Sequence, residues 1–480
     1  MTTHAKALDI NMDSSRYGSF AEIGAGQEVG RWFFRVGGAA GTIAKTLSAY
    51  DKKVSDAIYG TAQRYVSSGR LLAMLEVEYE LNIERLDQDR GGETAFFAFA
   101  DTVSAQNYRG DADCHGWMGI RFQSEPRAQS SQVILHARML DRDALMQHEA
   151  LGILGVNLIY GAARFVDQPE TFLASLLDNL GNRRIEIDMV EFSGEAFSDV
   201  DHRLMSLRLV EFGLSRAAMF AANGVVLRPS EILYKSPVLL QRGRFRPPTK
   251  VHIDIQKRAL ERFGAEPSVD PARIVSLLEL SLRELRETAD NSDNSDNASN
   301  ADGAENADSD VRDYLDRIEA LTAVDESVLV SNCPAYYLVV DYLSHYGVRE
   351  VGLPIGVFDF MELIREDRYN HLAGGILEAI GRLFGKGVRL YVYPGLDPET
   401  GKRIELDTIE VPASIVKLFE YLIASGLICS LDGLPSEDLL LSSDDVLEMI
   451  HRGDEKWEFH VAPEVVKAIK SAHLFGYSEG

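Results

Sequence analysis

The sequence predicts an α/β fold with two Rossmann-like α/β regions joined by a disordered acidic linker. Helical and strand patterns alternate regularly beyond residue 169, which is typical of parallel sheets with crossover helices. The segment 291–300 (NSDNSDNASN) has almost no apolar side chain to bury and interrupts this alternation. A chain of 480 residues is also too long for one ordinary hydrophobic core.

The first predicted region, residues 1–130, begins with a glycine-rich segment and continues with helices and strands. A short strand is predicted at 19–23. Apolar residues recur at helical spacing within 48–85, which predicts helices there. The segments 96–103 (FFAFADTV) and 117–122 are predicted strands.

The second predicted region, residues 131–288, is a middle α/β region packed on the first. Its helix at 142–163 is apolar on nearly all sides in its second half, and two glycines there, Gly152 and Gly155, indicate close packing on a neighbour. The remaining predicted elements are strands at 133–140, 184–192, 217–221 and 238–241, and helices at 169–180 and 201–212. Their alternation indicates a parallel sheet.

The disordered acidic linker is predicted at 289–310, and a C-terminal Rossmann-like α/β domain at 311–480. This domain has the clearest alternation of helices and strands in the chain. Its predicted helices lie at 311–321, 334–346, 358–364, 372–384 and 413–424, and its predicted strands at 327–331, 350–355, 389–393 and 427–431.

Composition limits the functions that the chain can have. Hydrophobic residues make up 45% and charged residues 26%, as in soluble globular proteins. A net charge of -25 argues against nucleic acid or an anionic membrane surface as the main partner. The three cysteines are far apart, no apolar signal region follows the N-terminus, and no apolar run is long enough to span a membrane. We therefore expect a cytoplasmic protein.

The glycine-rich opening, which spans residues 22–46, is the first candidate ligand site. Its GxGxxxG pattern is one residue longer than the dinucleotide fingerprint, and its Lys-Thr pair lacks the glycine spacing of a P-loop. Glycines allow backbone amides to wrap around an anion. The cofactor-binding candidates here are Gly24, Gly26, Gly30, Gly38, Gly41 and Lys45. The alternative is that these glycines serve turns and helix packing.

The strand at 184–191 carries the second candidate site. Strand alternation places Glu186 and Asp188 on one face, where two carboxylates can bind a divalent metal or a ribose, or act as an acid–base pair. Ligands of open α/β sheets lie at the carboxyl ends of strands, which favours Asp188 and Glu191 as ligands of a divalent metal such as Mg²⁺. The alternative is an edge strand with a solvated face.

A basic run near residue 240 is the third candidate, because concentrated positive charge is an exception in so acidic a chain. Its central members are Arg242 and Arg244, and the guanidinium fork suits phosphate or carboxylate. Both are therefore cofactor-binding candidates. The alternative is internal salt bridging with the many acidic residues.

The fourth candidate is His115, which can act as a general acid or base near neutral pH. Cys114 precedes it, and His136 and Arg138 follow on the next predicted strand. Adjacent residues of a strand point to opposite faces, so Cys114 and His115 are not expected to form a dyad. The alternative is a buried or surface histidine without a catalytic role.

Several phrases, among them FAEIGAGQEVGRWFFRVGGAAGTIAKT, QHEALGILGVNLIYGA and GGILEAIGRLFGKGVRLYVYP, resemble a bacterial family of poorly characterised soluble proteins. The resemblance covers most of the chain outside the linker. Family members carry labels of nicotinate- or nicotinamide-nucleotide adenylyltransferase, or of TonB-dependent receptor.

These labels can be tested on the residues. The receptor label requires a signal peptide and many alternating strands, and the sequence predicts neither. The adenylyltransferase label implies an α/β fold and an HxGH phosphate motif near the N-terminus. The nearest approach to that motif is His115-Gly116, without the second histidine. The resemblance therefore assigns no catalytic residue.

Together, these observations favour a cytosolic enzyme that acts on a nucleotide or another phosphorylated metabolite. Nucleotidyl or group transfer is favoured over hydride transfer, because a proper dinucleotide fingerprint is missing. Mg²⁺ is the expected cofactor, and the sequence does not identify the nucleotide. The competing hypothesis is a non-catalytic scaffold or a subunit of a homo-oligomer.

Overall fold

The protein is described here from a computed structural model, which covers residues 1–24, 26–107, 109, 113–282, 285, 302–385, 387–397, 399–435, 439 and 442–478. The described chain forms two compact units, Met1–Arg216 (unit 1) and Ala217–Gly480 (unit 2). This division falls inside 131–288, which the sequence analysis treats as one region. The reason is that strands before residue 217 hydrogen-bond into one sheet and later strands into another.

Unit 1 combines a sheet with helices. Its elements are α1 (Thr3–Asn11), β1 (Arg16–Gly24), α2 (Val29–Val36), β2 (Ile43–Leu47), α3 (Lys52–Tyr59), α4 (Ser68–Arg90), β3 (Ala95–Ser104), β4 (His115–Gln123), β5 (Ser130–Met139), α5 (Ala144–Arg164), α6 (Pro169–Ser175), β6 (Ile185–Ser193) and α7 (His202–Glu211).

The sheet of unit 1 is mixed rather than wholly parallel. Its six strands have the order β2-β1-β3-β4-β5-β6, in which β1 runs parallel to β2 and β3 while β3 to β6 alternate in direction. The parallel pairing expected from the alternation of elements beyond residue 169 is therefore wrong for β6, which pairs antiparallel with β5. Helices α5 and α6 lie between these two strands in the chain, so a helical connection does not by itself make the strands that it joins parallel.

Close helix packing holds the core of unit 1 together. Helix α5 packs on α2, and a Cβ added at Gly155 would lie 2.3 Å from a methyl group of Val29. At Gly152 the same addition would lie 2.7 Å from the Trp32 ring nitrogen. The close packing predicted for these two glycines is thus confirmed.

Unit 2 contains the second sheet and the C-terminal helices. Its elements are β7 (Ala217–Phe220), β8 (Val226–Leu227), α8 (Pro229–Ile232), β9 (Val238–Arg242), α9 (Lys250–Gly264), β10 (Val275–Ser281), α10 (Asp302–Thr322), β11 (Ser327–Ser331), α11 (Tyr336–Ser344), β12 (Val351–Gly356), α12 (Val357–Leu363), α13 (Gly375–Leu383), β13 (Val388–Tyr393), β14 (Gly395–Leu396), β15 (Arg403–Ile404), α14 (Val416–Ala424), β16 (Ile428–Ser430), α15 (Ser443–Arg452) and α16 (Pro463–Ala472).

The larger sheet of unit 2 has the order β16-β13-β12-β9-β10-β11-β7-β8, and its first six strands are parallel. Numbered along the chain, these six read 6-5-4-1-2-3, the order of a doubly wound nucleotide-binding sheet. Helix α9 covers one face, and α11 to α14 cover the other. The predicted α/β fold class is confirmed. The order of the chain reverses between β9 and β12, and this point of reversal is called the switch point below.

The predicted linker, 289–310, lies outside the described residues as far as residue 301, and helix α10 begins at Asp302. In the described part of the chain, no helix combines the length and the apolar character that crossing a bilayer requires. The three cysteines, all of them described, form no disulfide bond.

Replacement of Gly155 by alanine tests the packing of α5 on α2. The new methyl group has to push against Val29, whose branched side chain cannot rotate away easily. We expect a loss of about 1–3 kcal/mol in the free energy of unfolding, measured by urea denaturation. The control is Gly69→Ala near the start of α4, where an added Cβ meets nothing within 4 Å. Equal stability of the two variants would show that the helices are not in tight contact.

Candidate functional site

The glycine-rich opening of unit 1 surrounds a carboxylate of the protein itself. Glu22, near the end of β1, accepts hydrogen bonds from the backbone amides of Val29 at 2.8 Å and Gly30 at 3.4 Å. These amides begin helix α2, where free N–H groups would otherwise attract an anion. In this structure an internal carboxylate therefore takes the place that the sequence analysis assigns to a bound phosphate.

A second buried carboxyl group lies beside the first. Asp101 of β3 is the register partner of Glu22 and is fully buried. A Cβ at Gly26 would lie 2.0 Å from its Oδ1, so glycine is needed here to make room for this side chain. Burial raises the pKa of Glu22 to about 7, and burial followed by the charge of Glu22 raises the pKa of Asp101 well above its ordinary value.

The later candidates in the glycine-rich opening, Gly38, Gly41 and Lys45, also contact groups of the protein. Gly38 and Gly41 lie in the exposed turn between α2 and β2, joined by a hydrogen bond of 3.1 Å from the Gly41 amide to the Gly38 carbonyl. Lys45 lies on β2, and its ammonium group forms an ion pair of 2.7 Å with the buried carboxylate of Glu78. Turn formation and internal pairing account for these positions.

The structure joins two predicted catalytic residues through a third. The Asp188 Oδ1 atom lies 2.5 Å from Nδ1 of His136, and Nε2 of His136 lies 2.9 Å from Nδ1 of His115. Asp188 and His136 are buried, and His115 is partly exposed. Burial, and next the neighbouring His136, lowers the pKa of His115. We call these three residues the Asp–His–His chain.

The other two predicted carboxylates of β6 lie apart from the Asp–His–His chain. Glu186 is buried, accepts the backbone N–H of Arg216 at 3.1 Å, and lies 3.6 Å from the Arg138 guanidinium. Glu191 is exposed and three residues from Asp188, roughly 10 Å along a strand. The structure therefore separates the expected metal pair, Asp188 and Glu191. Among the residues with described placement, no three acidic, histidine or cysteine side chains are grouped to hold a metal ion.

The glycine segment and the Asp–His–His chain are neighbours at one end only. Gly24 of β1 pairs with Val103 of β3, and Val103 pairs with Gly116 of β4, next to His115, so His115 lies two strand spacings, roughly 10 Å, from β1. Asp188 of β6 lies four spacings from β1, roughly 19 Å.

In unit 2, Arg242 is held by the protein itself. Its guanidinium donates to both oxygens of Glu279, at 2.8 and 3.0 Å, and to the carbonyl of Cys333 at 2.7 Å. It also lies over the Tyr336 ring, 4.7 Å from the centroid. Glu279 is fully buried on β10 and also accepts the Ser331 hydroxyl at 2.6 Å. Internal salt bridging, the alternative for the basic run, therefore describes Arg242.

Arg244 is held much more loosely. It follows β9, is 43% exposed, and pairs with the exposed Asp444 at 3.3 Å. Asp359, in the first turn of α12 after β12, is exposed, yet burial among surrounding atoms raises its pKa. The positive charges of Arg244 and then Arg368 oppose that rise. Asp359 thus follows β12 at the switch point, and the charges of Arg244 and Arg368 reach it.

Sequence reasoning missed His252, in the first turn of α9. The backbone amide of Thr249 donates to Nδ1 of His252 at 3.0 Å, and the two residues form a capping box. Burial lowers the pKa of His252 to about 4, so the imidazole is neutral at pH 7. The only signal in the sequence is the three-residue spacing of Thr249 and His252, which is the spacing of a helix-capping box.

Comparisons with known proteins gave structural matches of low similarity. No protein-family model and no curated protein matches the chain. A competence-damaged protein (CinA) superfamily protein from Escherichia coli has a TM-score of 0.23 at 17% identity, over 34% of this chain and 86% of that one. The Plasmodium falciparum nicotinic acid mononucleotide adenylyltransferase has a TM-score of 0.26 at 11% identity, over 51% and 98%. A putative nicotinate-nucleotide adenylyltransferase from Vibrio parahaemolyticus has a TM-score of 0.19 at 11% identity, over 51% of this chain and 97% of that one.

Two of these names coincide with the adenylyltransferase label of the family that the sequence resembles. TM-scores of this size carry no inference about ligand or reaction. Function has to be argued from the residues of this chain.

Replacement of Glu22 by glutamine tests the buried carboxyl pair. The folded-state pKa of Glu22 is about 7, above the ordinary 4.5, so its contribution to stability is present below pH 4.5 and is lost as the pH rises through 7. The loss is on the order of 3 kcal/mol. We expect unfolding in urea to show a smaller loss of stability from pH 5 to pH 8 in Glu22→Gln than in the wild type. The exposed Glu80→Gln control should behave like the wild type, and an unchanged Glu22→Gln profile would contradict this pKa.

Replacing Arg242 and Arg244 one at a time tests whether Arg242 stabilises the fold and Arg244 does not. Arg242→Met leaves the buried Glu279 without its cation, which costs about 3–5 kcal/mol of unfolding free energy. Arg244→Met removes an exposed pair and should cost less than about 1 kcal/mol. Chemical denaturation measures both values. Similar losses for the two variants would refute the distinction.

Proposed function

We propose that unit 2 binds the phosphoryl group of a nucleotide or of another phosphorylated metabolite at the switch point, and that the protein is an enzyme of nucleotidyl or group transfer. The observation that carries the proposal is the position of Arg244 directly after β9 and of Asp359 directly after β12, the two strands between which the order reverses. The charges of Arg244 and then Arg368 lower the pKa of Asp359 against the effect of burial. In open α/β sheets, ligands bind outside the carboxyl ends of strands where the strand order reverses.

Two features make Arg244 suitable for an incoming anion. The buried pair of Arg242 with Glu279 fixes the end of β9, and the amide of Gly243 donates to the Glu279 carbonyl at 3.2 Å. The next arginine therefore leaves the sheet at a defined place. Its pair with Asp444 is exposed and worth at most about 1 kcal/mol, so a phosphate can replace that carboxylate at little cost.

The start of helix α9 supports the same site. This helix follows the arginine loop directly and is 15 residues long, and a helix N-terminus favours negative charge. With its Nδ1 atom accepting from Thr249, a neutral His252 carries its proton on Nε2. Its imidazole can therefore donate a hydrogen bond to a phosphate oxygen without becoming charged.

The proposed chemistry is stabilisation of negative charge on a transferring phosphoryl or nucleotidyl group. Such reactions depend mainly on positioning and on cations near the phosphate oxygens. Arg244 and Arg368 are the cations of this chain that the site offers. Mg²⁺, the expected cofactor, would add positive charge at the phosphate oxygens. Which residues of the protein would bind the Mg²⁺ ion is not assigned. A cytosolic setting would supply nucleotide and Mg²⁺ together.

Isothermal titration calorimetry with ATP, NAD and nicotinamide mononucleotide, each with and without Mg²⁺, tests the proposal. We expect saturable binding of at least one ligand and a roughly tenfold or greater loss of affinity in Arg244→Ala, because a charge-assisted hydrogen bond is worth about 1.5–3 kcal/mol. The matched control is Arg452→Ala, an exposed arginine that pairs with Glu448 on α15.

Two results would contradict the proposal. One is an absence of binding for all three ligands under every condition. The other is binding that Arg244→Ala and Arg452→Ala leave equally strong, since the phosphoryl group would then lie elsewhere.

A further inference from the structure

We propose that unit 1 contains a second catalytic centre, in which His115 is a general base that takes a proton from the O–H group of water or an alcohol, and His136 and Asp188 are its positioning residues. This centre is independent of the proposed phosphoryl site, since its three residues all belong to unit 1. The juxtaposition that carries it is the Asp–His–His chain, which runs from a buried carboxylate on β6 to a partly exposed imidazole on β4.

The backbone directs these side chains toward one another. The register between β5 and β6 shifts between His136 and Ala137, so that β6 has one extra residue at this point. Such a bulge changes the direction of nearby side chains, and bulges are frequent next to active sites. Met189 becomes the partner of His136, and the adjacent Asp188 comes within 2.5 Å of the same ring.

The hydrogen bonds determine where the protons lie. An ionised Asp188 accepts, so Nδ1 of His136 is the donor and its Nε2 carries a lone pair. Nδ1 of His115 then donates to that Nε2, which leaves the lone pair of His115 on its own Nε2. A partly exposed histidine with a basic Nε2 has the arrangement of a general base oriented by a second group.

The charges around His115 favour its neutral, basic form at pH 7. Burial lowers its pKa most, and the charge of His136 on β5 comes next. Asp113 and then Asp188 raise its pKa, and Arg138 on β5 lowers it by the smallest amount. When Nε2 takes a proton, the Nδ1 proton can pass to His136, and the resulting imidazolium lies against the Asp188 carboxylate.

In the proposed step, the O–H bond of the nucleophile breaks and its proton goes to Nε2 of His115. The oxygen forms a bond to an electrophilic carbon, and the leaving group departs with the electron pair of the bond that breaks. The proton then passes from His115 to the leaving group or to solvent. No oxidant or reductant is needed. Cys114 is not the nucleophile, because it packs on the apolar core of the opposite face.

Hydrolysis of p-nitrophenyl acetate by the full chain tests the centre, followed by release of p-nitrophenolate over a range of pH. We expect the rate to rise with an apparent pKa below the ordinary 6.5 of histidine. We expect His115→Gln to lose about 100-fold, as for removal of a general base, and Asp188→Asn to lose less and to shift the profile. A run with added ethanol separates the two nucleophiles, because an alcohol acceptor gives ethyl acetate and water gives acetate.

The control is His202→Gln, a partly exposed histidine of unit 1 on α7. It should keep the wild-type rate and pH profile. Rates in His115→Gln or in Asp188→Asn that equal the wild type would overturn the proposal.

A measurement on the wild type covers the case in which a variant does not fold. Diethyl pyrocarbonate acylates neutral imidazole nitrogens, and mass spectrometry locates the modified residue. Because its lowered pKa keeps Nε2 unprotonated, we expect the rate at which His115 reacts to change little between pH 7 and pH 6. No reaction at His115, or a several-fold fall in its rate over this interval, would overturn the proposal.

Discussion

The ion pair between Arg242 and Glu279 is the interaction on which the proposed phosphoryl site depends. Both side chains are almost completely buried, and the guanidinium is satisfied by the carboxylate and by a backbone carbonyl. Such a pair resists replacement, because removal of one partner leaves a buried charge. It therefore fixes the end of β9 at the switch point, and Arg244, which pairs with the exposed carboxylate of Asp444, follows directly.

In unit 1, too, a buried carboxyl group is held by donors of the protein itself, here the backbone amides of Val29 and Gly30. The first free amides of α2 attract negative charge, and Glu22 supplies it from within the chain. The starts of the helices after β1 and β9 thus differ: the first amides of α2 donate to the buried Glu22, whereas α9 begins with the capping box of Thr249 and the neutral His252 and follows the arginine run. For this reason we propose the arginine run, rather than the glycines of the opening, as the anion-binding site.

The local elements were predictable, and the contacts between distant elements were not. Periodicity located β3, β5, α5 and most of the strands of unit 2, because these patterns depend on residues close in sequence. His136 as the link between His115 and Asp188 depends on a bulge in the pairing of β5 with β6, which no local pattern encodes. The role of Glu22 likewise depends on a turn that brings α2 back onto the end of β1. The sequence singled out the arginine run as a candidate site, but only burial in the structure distinguishes Arg242 from Arg244.

Hydrogen–deuterium exchange of the full chain, with and without the nucleotide that binds most tightly, tests the central claim most directly. The account predicts slower exchange in peptides that cover residues 243–253, where Arg244 and the start of α9 lie. Exchange over residues 22–36 should stay the same, because Glu22 already holds those amides. Protection confined to residues 22–36 would contradict the account and return the ligand to the glycine-rich opening.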